Sequence, residues 1–64
     1  MSNATAEDMP AAYSPRDFAR VYGIGLTLTY ELIGAGKLKA RKLGRRTMIL
    51  REDAEHWARS LPTL

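Results

Sequence analysis

The 64 residues include no cysteine and a single histidine, His56. The first absence excludes disulfides and thiolate metal sites, and one histidine cannot build a metal site alone. Long apolar runs are missing as well. Nothing approaches the ~20 residues a membrane-spanning helix needs, nor the apolar core of a signal peptide. The reading is of a soluble chain in a reducing, intracellular compartment, the cytoplasm. Length sets a further bound, since a domain this small buries only about 60% of the surface its unfolded chain exposes. Its core is marginal, and an enclosed catalytic pocket is not expected. No acid, base and nucleophile set stands out, so no enzyme activity, cofactor or metal is expected.

Negative charge is lacking from one long stretch. Between Leu32 and Arg51 there is no acidic residue, yet the stretch holds Lys37, Lys39, Arg41, Lys42, Arg45, Arg46 and Arg51. Seven of the ten basic residues therefore crowd into about a third of the chain, although the net charge is only +3. A basic block inside a folded pattern points to a polyanionic partner, with an ordinary solvated face as the alternative.

Within that block, "GAGKLKARK" (residues 34–42) raises the question of a phosphate-binding loop. A Walker loop ending at Gly36-Lys37 needs glycine at position 31 and a hydroxyl at 38, where Glu31 and Leu38 stand. The other pair, Gly23 and Gly25, lacks the third glycine of a dinucleotide fingerprint, because position 28 is leucine. Neither is a nucleotide loop. Gly36 reads better as a helix stop, with Lys37 as a cation near that helix's negative end.

The periodicity supports four elements. Residues 1–12 ("MSNATAEDMPAA") show no apolar pattern and are expected to form a disordered lead, so the domain should span residues 13–62. Ser14 is a good helix N-cap, Pro15 suits the first helical position, Asp17 favours the positive helix end, and Gly23 can close the helix. A second helix is expected over 26–35 with Gly36 as its stop, and two short helices about "GIG" form a helix-turn-helix pattern. "KLKARKLGRRTMIL" then alternates as a two-stranded hairpin turning at Gly44-Arg45-Arg46. Its first arm points Leu38 and Ala40 inward, Lys39 and Arg41 outward. In "REDAEHWARSLP", Ala54, Trp57, Ala58 and Leu61 make an amphipathic stripe that Pro62 ends, and His56 is expected to be exposed and idle.

The order of "YGIG", "TYELI", "GKLKA", "LGRRT" and "REDAEHW", at these gaps, resembles the small excisionase-type winged helix-turn-helix family. That family is related to the DNA-binding domain of the mercury-resistance regulator, and the resemblance covers Tyr13 to Leu61. It implies a mainly α fold with a small β-hairpin, in the order helix, helix, two-stranded wing, helix. It also implies a second helix in the DNA major groove and a wing on the adjacent minor groove. Excision of integrated elements, phage or plasmid gene regulation and DNA recognition in viral packaging are the associated roles, without enzymatic activity. Relatives often carry arginine or lysine near positions 26, 28 and 31. Here those positions are Leu26, Leu28 and Glu31.

On a helical wheel Thr29, Leu32 and Ile33 share the face toward the first helix, with Leu26 and Leu28 on its borders. The candidate DNA contacts of the second helix are Leu26, Thr27, Tyr30 and Glu31. The wing offers Lys39, Arg41, Arg45 and Arg46 for phosphates and the minor groove, and Arg16, Arg20, Lys37 and Lys42 could reach flanking phosphates. The expected partner is double-stranded DNA, with further copies of the chain on adjacent sites and a recombinase as additional candidates. The rival expectation is a protein-interaction module docking through Leu26, Leu28 and Tyr30.

Overall fold

The computed structural model describes residues 10–64. The expected disordered lead falls mostly outside them. Its last residues do not: Ala12–Tyr13 form a short strand, β1. Helix α1 (Pro15–Tyr22) starts as its sequence dictates, with the Asp17 amide donating to Ser14 Oγ at 3.0 Å and Pro15 in the first turn. It ends at Gly23, whose φ of 69° lies in the left-handed region. That conformation lets the Gly23 amide donate to the Arg20 carbonyl at 3.3 Å and the Ile24 amide to Ala19 at 2.9 Å.

Two residues later comes α2 (Leu26–Gly34), which closes by the same device. The Gly36 amide donates to Ile33 at 3.1 Å and the Lys37 amide to Leu32 at 3.0 Å, with Gly36 at φ 77°. Gly36 is thus a helix stop, and Ala35 caps the helix instead of extending it.

The hairpin pairs β2 (Arg41–Leu43) with β3 (Arg46–Leu50) in antiparallel register, matching Arg41 to Met48, Lys42 to Thr47 and Leu43 to Arg46. Two expectations are corrected here. The segment before Arg41 is not strand, although Leu38 is buried and Ala40 packs on the core as its alternation requires. The turn is Gly44-Arg45 alone, because Arg46 is already paired across the hairpin.

The sheet has a third member. β1 pairs antiparallel with the other edge of β3, Ala12 opposite Leu50 and Tyr13 opposite Ile49, giving the order β1-β3-β2. Two residues carry no period to be recognised by, and the partner strand lies far along the chain. Beyond the ladder, the Arg51 amide donates to the Ala11 carbonyl at 2.9 Å and Arg51 Nη1 to the Pro10 carbonyl at 3.3 Å.

The last helix, α3 (Arg51–Arg59), follows β3 without a loop. Ala54 and Trp57 are buried and Ala58 packs beside them, as the stripe requires. Leu61 does not join them and is 49% exposed. The helix stops before it, where the Ser60 amide donates to His56 at 3.1 Å and Ser60 Oγ donates to the Trp57 carbonyl at 2.6 Å.

Phe18 of α1, Leu38 of the segment before β2, Ile49 of β3, and Ala54 and Trp57 of α3 make the core. Leu32 and Ile33 of α2 pack against its edge. Around it, Phe18, Tyr22 and Trp57 form a ring cluster with centroids 4.8 to 5.6 Å apart, two of the three pairs edge-on. That geometry suits aromatic quadrupoles. Three helices on a small antiparallel sheet of three strands constitute a winged helix-turn-helix.

Candidate nucleic-acid interface

Helix α2 presents a broad polar and apolar arc to solvent. With successive side chains about 100° apart, the exposed residues fall in the angular order Tyr30, Gly34, Thr27, Glu31, Leu28. Thr29, Leu32 and Ile33 lie opposite and face the protein. Thr29 is fully buried, and its hydroxyl is satisfied by donating to the Gly25 carbonyl at 3.0 Å. The helix carries no cation, and its N-cap Gly25 offers no side-chain bond.

Of the second-helix candidates, Thr27, Tyr30 and Glu31 are exposed together, with Tyr30 at 52%. Leu26 is half-buried at the edge of the arc. Leu28, assigned to the core border by its wheel position, is 44% exposed. On the wheel each leucine lies between one protein-facing and one exposed residue, Leu28 between Leu32 and Glu31, Leu26 between Ile33 and Tyr30, so periodicity alone does not separate them.

The eight cationic candidates are all exposed, but they do not form one set. Arg41 Nε lies 3.5 Å from Asp53 Oδ2 in the first turn of α3. This is a charge contact and not a well-formed hydrogen bond, since that buried oxygen has no hydrogen-bond partner among the described residues. Lys37 and Lys39 line a cleft of about 540 Å³ against Glu52, Asp53 and His56. Near α3 the positive charge of the basic block is thus set against carboxylates. Arg20 is paired too, its Nη2 donating to Asp17 Oδ1 at 2.9 Å. That guanidinium holds the Asp17 carboxyl below its ordinary value of 3.8, with the Ser14 hydroxyl and Arg16 acting in the same direction and burial opposing them.

At the hairpin tip the balance differs. Lys42, Arg45 and Arg46 are exposed and pair with no carboxylate among the described residues, as is also true of Arg16. Cross-strand partners share a sheet face and neighbours alternate. The register therefore puts Arg46 on the face of Arg41 and Met48, and Lys42 on that of Thr47 and Ile49. Lys42 is nonetheless exposed. The tip presents cations from both faces of the sheet.

The family model of the helix-turn-helix domain matches residues 12–62. The chain belongs to the helix-turn-helix domain family. No curated protein and no solved structure matches it. In helix-turn-helix domains of known docking mode the second helix reads the major groove and the first crosses the backbone. Membership supports DNA as the partner, and such domains are typically non-enzymatic. The match begins at Ala12, inside β1, so the third strand belongs to the domain. Among the described residues, no helix of this helix-turn-helix domain is long and apolar enough to cross a membrane.

Proposed function

We propose that the chain binds double-stranded DNA as a small regulator or excisionase-like architectural protein of a phage or mobile element. Helix α2 enters the major groove, and the hairpin tip lies on the adjacent minor groove and its phosphates. The observation that carries this reading is the cluster of Lys42, Arg45 and Arg46, exposed and without a carboxylate partner among the described residues, in a helix-turn-helix domain. Arg16 of α1 supplies a flanking phosphate contact. Arg20, Lys37, Lys39 and Arg41 contribute less, because each sits near a carboxylate of the protein.

With about five phosphate contacts, one copy binds weakly and with strong salt dependence. Useful affinity then comes from copies side by side on repeated sites, or from a partner such as a recombinase. Nanomolar binding of a single copy to one site at physiological salt would refute that part. The test of the whole reading is fluorescence anisotropy of a labelled duplex titrated with the protein at two salt concentrations. Steep weakening with salt is expected, and no binding at low salt would sink the proposal.

A second reading, a protein-interaction module, draws on the exposure of Leu28 and Tyr30. Under it Leu28→Ser abolishes partner capture, while Arg45→Ala with Arg46→Ala spares it. Under the DNA reading the double arginine change has the larger effect.

A further inference from the structure

Helix α2 contains no arginine, lysine, asparagine or glutamine, the side chains that pair bidentately with guanine or adenine. Its solvent-facing arc offers instead two large partly apolar groups, Leu28 at 44% and Tyr30 at 52% exposure, flanking Thr27 and one carboxylate, Glu31. Gly34 lies in the same arc, with nothing within 4 Å of where a Cβ would stand, so the arc is open to close approach between Tyr30 and Thr27. A major-groove edge has two features that such a surface can read. Apolar side chains and a threonine methyl pack on the thymine C5-methyl, and a carboxylate accepts from the cytosine N4 amino group. Away from cytosine, Glu31 is repelled by phosphates and gains nothing.

Resting on the DNA-binding reading, we propose that α2 reads pyrimidines. Leu28, Tyr30 and Thr27 select the thymine methyl, Glu31 selects cytosine N4, and no guanine edge is contacted by this helix. Charge and information are then divided between two elements. The cationic tip supplies affinity that is indifferent to sequence, and the cation-free face of α2 supplies discrimination.

The experiment selects bound sites from a randomised duplex library with the full chain. Affinities are then compared for the enriched duplex, the same duplex with deoxyuridine at each thymine, and the same duplex with 7-deazaguanine at each guanine. Losing one buried methyl is expected to weaken binding roughly fourfold, while the 7-deazaguanine duplex binds like the parent. Leu28→Ala should narrow the difference between the thymine and uracil duplexes. Glu31→Gln should relax the preference at cytosine positions, and this exposed change keeps the test open if Leu28→Ala folds poorly. Equal binding of thymine and uracil duplexes, or weakening by 7-deazaguanine, overturns the inference and leaves DNA binding intact. If no site is enriched and salt-sensitive binding persists, the thymine-to-uracil comparison on the mixed library decides in the same way. Absence of binding to every duplex at low salt overturns both readings together.

Discussion

Arg41 Nε and Asp53 Oδ2, 3.5 Å apart, tie the start of β2 to the first turn of α3. The pair joins the hairpin to the helix that supplies Ala54 and Trp57 to the core. It also pairs one of the basic block's cations with a carboxylate of the protein itself. Arg41→Ala should therefore lower stability by up to about 1 kcal/mol, the usual range for a half-exposed pair. It should change the salt dependence of DNA binding little. Thermal melts of Arg41→Ala, Asp53→Ala and the double variant give the coupling, and additive effects would show that the contact contributes nothing.

The tip arginines should behave in the opposite way. Arg45→Ala and Arg46→Ala are expected to leave the melting temperature close to wild type, since both side chains are exposed. Each should reduce the slope of log affinity against log salt by about 0.9. An unchanged slope would remove these residues from the phosphate-contacting set.

Trp57 is the largest member of the core, 7% exposed, with its ring 5.3 Å from that of Phe18 and 5.6 Å from that of Tyr22. Trp57→Ala should cost about 3–5 kcal/mol. A domain this small has little more than that in total, so far-ultraviolet circular dichroism should show a largely unfolded chain at room temperature. Trp57→Phe should remain folded.

Gly23 holds φ at 69° with open space where a Cβ would stand. Gly23→Ala therefore meets no clash, and its cost is conformational only, about 1–2 kcal/mol. Denaturant unfolding measures it. A neutral result would mean that the turn between α1 and α2 adopts another conformation.

Burial raises the Tyr22 phenol above its ordinary value of 10.0, with Tyr13 and Glu55 adding to the shift and Arg59 opposing it. For an acid whose folded value is raised, the stabilising contribution is complete below the unfolded value and is lost as pH rises through the folded one. Stability should thus fall above pH ~10 in the wild type and less in Tyr22→Phe, read from melts across that range. Parallel curves for the two proteins would exclude this contribution.

How much was legible in the sequence depends on how local each determinant is. Helix α1 was readable from end to end, since Ser14, Pro15, Asp17 and Gly23 act within the same two turns. Gly36 was readable as a stop for the same reason. Strand β1 was not, because Ala12 becomes a strand residue only by pairing with Leu50. Leu61 continues the α3 stripe on a wheel, yet Ser60 ends the helix one residue earlier. A two-residue turn and a three-residue turn share the string "GRR", and only the pairing of Arg46 with Leu43 separates them.

By itself the sequence determined the order of helices and hairpin, the apolar faces that fold inward, and the concentration of positive charge after α2. Those properties follow from side-chain chemistry and spacing along one chain. Which cations remain available was decided by tertiary structure alone. Packing α3 beside the hairpin brings Asp53 to Arg41 and sets Glu52 across a cleft from Lys37 and Lys39. It leaves the tip clear of those acids. Coulomb attraction depends on distance through space, and residues twelve apart in the chain can lie in contact or far apart until the core has formed.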